Sequence, residues 1–173
     1  MRADKPQVNT LVRSLLILLL VALNIGCDQL SKKVVRQELS YTDNIKVFTD
    51  HITLMKVENS GAFLSVGTEL PEAVKFTLLT LLPILVLGAA MFGLIVKTRM
   101  PRLVVVGTSL LIGGGLGNLF DRLRYGSVTD FLHIDFGIFQ TGVFNLADVS
   151  IMIGISLILL QAYVLNNLQK ARA

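Results

Sequence analysis

Four long apolar runs, each almost free of charge, constrain what this chain can fold into. They cover about residues 11–27, 74–96, 103–120 and 149–165. A helix needs roughly 17–25 apolar residues to cross about 30 Å of hydrocarbon, and each run meets that length. Arg13 and Lys75 stand near the entrances of the first two, where a long side chain can carry its charge back to the interface. Helices of a water-soluble chain this size would show a polar face, and these four do not. The charged fraction agrees, at 16% against about 25% in ordinary soluble domains. The sequence therefore predicts an all-α membrane protein, one domain over 1–173, with four transmembrane helices.

Basic residues set the expected orientation. Arg2, Lys5, Arg13, Lys97, Arg99, Arg102, Lys170 and Arg172 flank the runs on one side, opposed there by Asp4 alone. The other side is net acidic. The positive-inside rule then places both termini in the cytoplasm. Two long loops, about 28–73 and 121–148, face outward. Residues 45–48 (IKVF) and 52–57 (ITLMKV) are rich in β-branched and aromatic side chains and flank Thr49-Asp50-His51, which predicts a short antiparallel pair. Residues 127–136 (SVTDFLHIDF) also read as extended. The expectation is a small extracytoplasmic β platform on the membrane surface. Topology also accounts for the net charge of +4, since the basic residues form no stripe interleaved with aromatics and no nucleic-acid partner is implied.

The N-terminus carries a resemblance of a different kind. Basic residues, an apolar core and Asn24-Ile25-Gly26-Cys27 are similar to a bacterial lipoprotein signal, in which the Cys is lipidated. Asn24 stands where such signals usually have Leu, and three further spans follow. Cys27 is therefore read as a small helix-packing residue.

Most hydrolytic chemistries fail on residue inventory. The histidines are His51 and His133, with no HExxH pair for zinc. Gly107-Thr108-Ser109 lacks the second glycine of a serine-hydrolase elbow. One cysteine and two separated histidines make no metal cluster, and no glycine-rich loop ends in Lys-Ser or Lys-Thr. No metal and no cofactor are expected. Carboxylates remain.

The informative stretch is residues 113–131, GGGLGNLFDRLRYGSVTDF. Gly113 and Gly117 form a small-xxx-small pair suited to close helix packing. Asn118, Asp121 and Arg122 fall at the membrane edge, where polar side chains need partners. Asp121 and Arg122, being adjacent, point in different directions on a helix. Asp130 follows in an apolar setting, and Asp148 opens the fourth run after Phe144-Asn145-Leu146-Ala147. Taken singly, Asp148 suits a helix N-terminus and Asp130 an edge strand. Taken together, a strand returning to the membrane and the top of the next helix can place both carboxylates in one crevice. Two carboxylates that close do not both ionise readily, so one keeps a proton and the other serves as base. Asp28 and Lys32 have helical salt-bridge spacing, and Asn59-Ser60-Gly61 reads as a polar turn.

Five blocks in order resemble the lipoprotein signal peptidase (type II signal peptidase) family: Asp28-Gln29-x-x-Lys32; Asn59-x-Gly61-Ala62; Gly113-Gly114-x-x-Gly117-Asn118-x-x-Asp121-Arg122; Gly126-x-Val128-x-Asp130-Phe131; and Phe144-Asn145-x-Ala147-Asp148. The likeness spans nearly the whole chain. It implies an aspartic endopeptidase of the bacterial cytoplasmic (inner) membrane, active as a monomer at the outer face among membrane lipids. Its substrates would be diacylglyceryl-modified prolipoproteins, cut just before the lipidated Cys. The resemblance puts the catalytic pair on Asp130 and Asp148. Asn118, Arg122 and Asn145 would order the pair and the substrate backbone, while Asp121, Asp28, Lys32, Asn59 and Gly61 support them. Phe63 directly after Gly61-Ala62 departs from the pattern, where many members have another small residue first. A proton or cation transporter is the competing class, but it would want its charges near mid-membrane, and here they gather at one face.

Overall fold

The computed structural model describes residues 10–47, 51–61 and 69–170. Four helices, α1 (Thr10–Glu38), α2 (Glu72–Val96), α3 (Arg102–Tyr125) and α4 (Leu146–Lys170), carry stretches long and apolar enough to cross a membrane. Three strands, β1 (Asn44–Val47), β2 (Ile52–Asn59) and β3 (Val128–Ile134), form an antiparallel sheet in the order β1-β2-β3. The architecture is a four-helix membrane bundle with a small sheet, as the sequence predicts. Phe48 to Asp50, Ala62, Phe63 and the charged residues of both termini lie outside the described residues or side chains.

The helices outrun the apolar runs. At about 1.5 Å per residue, the 29 residues of α1 reach well past a hydrocarbon layer of about 30 Å. The loop expected to begin at residue 28 therefore begins after Glu38, and that expected at 121 begins after Tyr125. The cause is tertiary. Asp28, Lys32 and Arg36, spaced by four, lie along one side of α1; Lys32 and Arg36 pair with Asp121 of α3 and Asp28 with Lys32, so polar residues continue the helix. Gly126 then ends α3 with φ of 79°, a left-handed conformation that glycine adopts without strain. Within α2, residues Thr77–Leu81 form a π turn just before Pro83. Pro83 has no N–H to give and its ring crowds the carbonyl four residues back, and the widened turn accommodates both.

α3 is the central helix. Its consecutive glycines face three different neighbours. A Cβ on Gly113 would meet Asn24 of α1 at 2.8 Å, one on Gly114 would strike the Ala147 carbonyl of α4, and one on Gly115 would meet Leu87 of α2 at 2.8 Å. Gly117 lies as close to Asp28, so the Gly113–Gly117 pair packs against α1. Lower down, Gly107 faces the Gly154 carbonyl of α4. Cys27 is exposed and takes no part in these contacts, contrary to its reading as a packing residue. Ile17, Val21, Leu87, Leu94 and Ile112 form the apolar core, while leucines such as Leu19, Leu85 and Leu159 point outward, as lipid-facing side chains do. Arg13 donates to the Lys97 carbonyl at 3.1 Å, tying the start of α1 to the α2–α3 connection at one end of the bundle. The sheet and the buried polar residues occupy the opposite end.

Close approach here is a stability requirement. Gly107→Ala forces a methyl against backbone at 2.6 Å and should cost about 1–3 kcal/mol by overpacking, lowering the melting temperature in detergent. Gly88→Ala, with nothing within 4 Å of the new Cβ, should leave it unchanged or raise it. Equal melting of the two variants would contradict the packing described.

Candidate active site

Sheet geometry brings the first carboxylate to the bundle. β2 and β3 pair Leu54 with Leu132 and Val57 with Asp130, so β2 carries one extra residue between these pairs. Beyond that bulge Asn59 lies two residues past Val57, diagonal to Asp130 on the same sheet face. Its Nδ2 donates to Asp130 Oδ2 at 2.9 Å. Its Oδ1 accepts the Gly61 N–H at 3.0 Å, so the turn fixes which end of the amide faces the aspartate. The Gly61 carbonyl in turn accepts Arg122 Nη2 at 2.9 Å. Arg122 Nε has no hydrogen-bond partner among the described residues.

The second carboxylate arrives through a helix start. Phe144 exchanges backbone hydrogen bonds with Leu132, which sets Asn145 beside Asp130. Asn145 then caps α4. Its Oδ1 accepts the Asp148 N–H at 3.0 Å, and Asp148 Oδ2 accepts the Asn145 N–H at 3.1 Å, a reciprocal capping box. The helix-start role expected of Asp148 is therefore real, and it occupies one oxygen only. Oδ1 accepts Asn118 Nδ2 at 2.8 Å. Asn145 Nδ2 bridges Asn118 Oδ1 at 3.1 Å and Asp130 Oδ1 at 2.6 Å.

Behind these amides lies an ion cluster. Lys32, fully buried, contacts Asp28 Oδ2 at 2.8 Å, Asp121 Oδ2 at 2.9 Å and Asn118 Oδ1 at 2.9 Å. Asp28 Oδ1 accepts the Ala147 N–H at 3.0 Å, so α1 also holds the start of α4. The Asp28–Lys32 salt bridge is thus present, and it reaches the site. Asp121 sits one step further back, paired with Lys32 and Arg36 and not with its neighbour Arg122. All ten residues singled out in the sequence meet in one connected network, with Asp121 and Asp28 its outer members.

Sequence reasoning assigned no role to four participants. Gln29 Nε2 lies 3.1 Å from Asp28 Oδ2, the Gly117 carbonyl and Asp121 Oδ1. Arg36 donates from Nε to Thr129, which donates to Glu58, and its guanidinium lies 4.0 Å over the Tyr125 ring. Arg36 was within reach of sequence reading, since it continues the spacing of four from Asp28 and Lys32. The partners of Thr129 and Glu58, distant in sequence, left no local signal.

Asp130 and Asp148 both open onto a cleft of about 360 Å³, with Asn59, Asn118 and Arg122 around them. Leu79 and Pro83 of α2 and Ile151, Met152 and Ile155 of α4 make its apolar walls. Burial pushes Asp130 up from the usual carboxylate range to about 6; the Asn59 hydrogen bond opposes this and the neighbouring Asp148 adds to it. One shifted acid and a second carboxylate in a largely apolar cleft can activate water and protonate a leaving group. No group of three or more His, Cys, Asp or Glu placed to hold a metal occurs among the described residues.

The shift of Asp130 has a consequence for stability. A raised acid takes up more protons folded than unfolded between its ordinary value of 3.8 and about 6. Its contribution to stability is therefore lost as pH rises through that window and stays constant above it. The melting temperature of the wild type relative to Asp130→Asn should fall by a few degrees between about pH 4 and 6 and then level. A difference that grows with pH would contradict the assignment.

Comparison with known proteins gives one consistent result. A family model described as signal peptidase (SPase) II matches residues 20–164. A lipoprotein signal peptidase of Halothermothrix orenii is 36% identical over 146 residues, covering 84% of this chain and 93% of the relative. One from Azoarcus sp. is 37% identical over 142 residues, covering 82% and 79%. A solved bacterial membrane enzyme superposes with a TM-score of 0.75 at 26% identity, covering 85% of this chain and 87% of its own. The chain belongs to the signal peptidase II family, the aspartic membrane proteases that cleave the signal peptides of lipoproteins.

Proposed function

We propose that Asp130 and Asp148 are the catalytic pair of this peptidase. The observation that carries the reading is their convergence: two carboxylates from separate elements line one cleft, each held through both oxygens by N–H donors. The chemistry needs one aspartate ionised as base and the other protonated as acid. Water attacks the scissile carbonyl, the ionised aspartate takes its proton, and the protonated one donates to the leaving amine. Asn59, Asn118 and Asn145 fix the carboxylates. Arg122, anchored on Gly61, turns its remaining donors to the substrate backbone. Lys32, Asp28 and Asp121 hold the frame.

The substrate is a prolipoprotein whose Cys already bears a diacylglyceryl group, and cleavage falls just before that Cys. The cleft supports this by chemistry: polar at the carboxylates and apolar along α2 and α4, it suits a peptide bond whose neighbouring groups remain among lipid. The charge asymmetry of the sequence supports cytoplasmic termini, a site at the outer face of the bacterial cytoplasmic membrane, and lipid as its constant neighbour. We take the working unit to be a monomer, because the described residues of one chain already hold both carboxylates through both oxygens.

Asp130→Asn and Asp148→Asn, each purified in detergent and assayed on a diacylglyceryl-modified prolipoprotein, should remain folded and lose cleavage by at least about a thousandfold, in the upper range of acid–base contributions. A substrate lacking the lipid should be cut poorly by the wild type, and a chelator should have no effect. Normal cleavage by both aspartate variants would end the reading.

A further inference from the structure

We propose that Lys32, which touches neither aspartate, is a positioning residue that acts through the side-chain amide of Asn118 to make Asp148 the proton acceptor of the pair and Asp130 the donor. This rests on the reading of Asp130 and Asp148 as catalytic.

An ammonium only donates. Lys32, with no exposure, donates to Asp28 Oδ2 and Asn118 Oδ1 and lies within ion-pair distance of Asp121 Oδ2, at 2.9 Å. Asn118 must therefore present its oxygen to Lys32, and Asn145 Nδ2 adds a second donor on that oxygen. The NH2 of Asn118 is left on the other side, where Asp148 Oδ1 accepts it at 2.8 Å. A flipped Asn118 would set its oxygen against the carboxylate and its NH2 against the ammonium. Lys32 also draws electron density from the amide and so strengthens its N–H as a donor.

The two aspartates are thereby made unequal. Asp148 accepts the Lys32-backed amide on one oxygen and a backbone N–H on the other, at the N-terminus of α4, where the helix dipole favours negative charge. Asp130 accepts two side-chain amides, from Asn59 and Asn145, and lies in a strand with no comparable dipole, 3% exposed between buried Val128 and Phe131. The other charged groups facing Asp148 do not cancel this difference. Arg122 of α3 interacts with both carboxylates, Asp130 faces it from β3, Asp28 of α1 is compensated by Lys32 itself, and the charge of Lys32 favours ionised Asp130 less than burial opposes it. From α2 the cleft receives Leu79 and Pro83, which carry no charge.

In the reaction the water oxygen bonds to the scissile carbon and its proton passes to Asp148. The carbon–nitrogen bond breaks as Asp130 gives its proton to the leaving amine. The pair then carries its proton on Asp148, and transfer back to Asp130 through the next water resets the enzyme.

The test compares two charge-balanced double variants, Lys32→Met with Asp28→Asn and Lys32→Gln with Asp28→Asn. Both keep an oxygen for the Ala147 N–H and leave Arg36 paired with Asp121. With diacylglyceryl-modified peptide, the Met variant should lose about 10- to 100-fold in kcat, the scale of lost positioning. KM should stay within about threefold, because substrate contacts are untouched. The Gln variant, which can still donate to Asn118, should recover most of the lost kcat. A folded Met variant with full kcat, or a Gln variant no better than Met, overturns the proposal. If neither variant folds, the wild type decides. In enzyme carrying carboxyl-labelled aspartate, the infrared band of a protonated carboxyl should vanish in Asp130→Asn and persist in Asp148→Asn, and the reverse overturns the proposal. Full cleavage by the single aspartate variants would instead remove the catalytic pair itself.

Discussion

A lysine with no solvent exposure, set beside a lipid-facing bundle, is tolerable only when its charge is paired and hydrogen-bonded. In this protein that requirement organises one end of the molecule. Lys32 needs Asp28 on its own helix and Asp121 and Asn118 on α3, so α1 and α3 must stay in register about a turn past the apolar run of α1. Asp28 in turn reaches the backbone of Ala147, which brings in α4. The approach this demands explains the glycines of α3, since a side chain at residue 117 would displace Asp28 and one at 113 would displace Asn24. Breaking one partner of such a cluster leaves a buried charge uncompensated, a larger penalty than the net contribution of the intact pair.

Much of this was legible in the sequence, for reasons that differ by element. Lipid leaves helices few ways to satisfy their backbone, so four apolar runs identify four helices with little ambiguity. The strands were legible from their β-branched content, and their bounds shift by only a residue or two. Asp130 and Asp148 stood out because a carboxylate in apolar company needs a reason. The extension of α1 to Glu38 was not legible, because Lys32-Lys33 and Arg36 read locally as a solvated segment, and only the partners of Lys32 and Arg36, about 90 residues later, draw those two inward. The outward-facing Cys27 was equally opaque: hydropathy identifies a span, while its rotation depends on neighbours. The diagonal Asn59–Asp130 contact depends on a bulge that no local pattern announces.

Two readings that competed over single residues turn out to be compatible. Asp148 is both a helix-capping residue and a side chain of the cleft, one oxygen for each task. Asp28 is both a helical salt-bridge partner and a clamp on α4. Economy of this kind suits a small membrane protein, in which few positions can hold a polar group and each must satisfy several neighbours. It also stiffens the carboxylates, because the capping box prevents Asp148 from turning without fraying the first turn of α4.

The Asp28–Ala147 contact joins residues 119 apart, from the first helix to the last. Ribosomal synthesis runs in that order. A nascent chain whose first three helices have entered the bilayer holds Asp130 but lacks Asn145 and Asp148. The two halves of the proposed pair then meet only when α4 inserts and its first turn closes on Asp28. Proteolytic competence is accordingly the last property the chain acquires during biogenesis, and a chain stalled before α4 is a membrane protein without a protease in it.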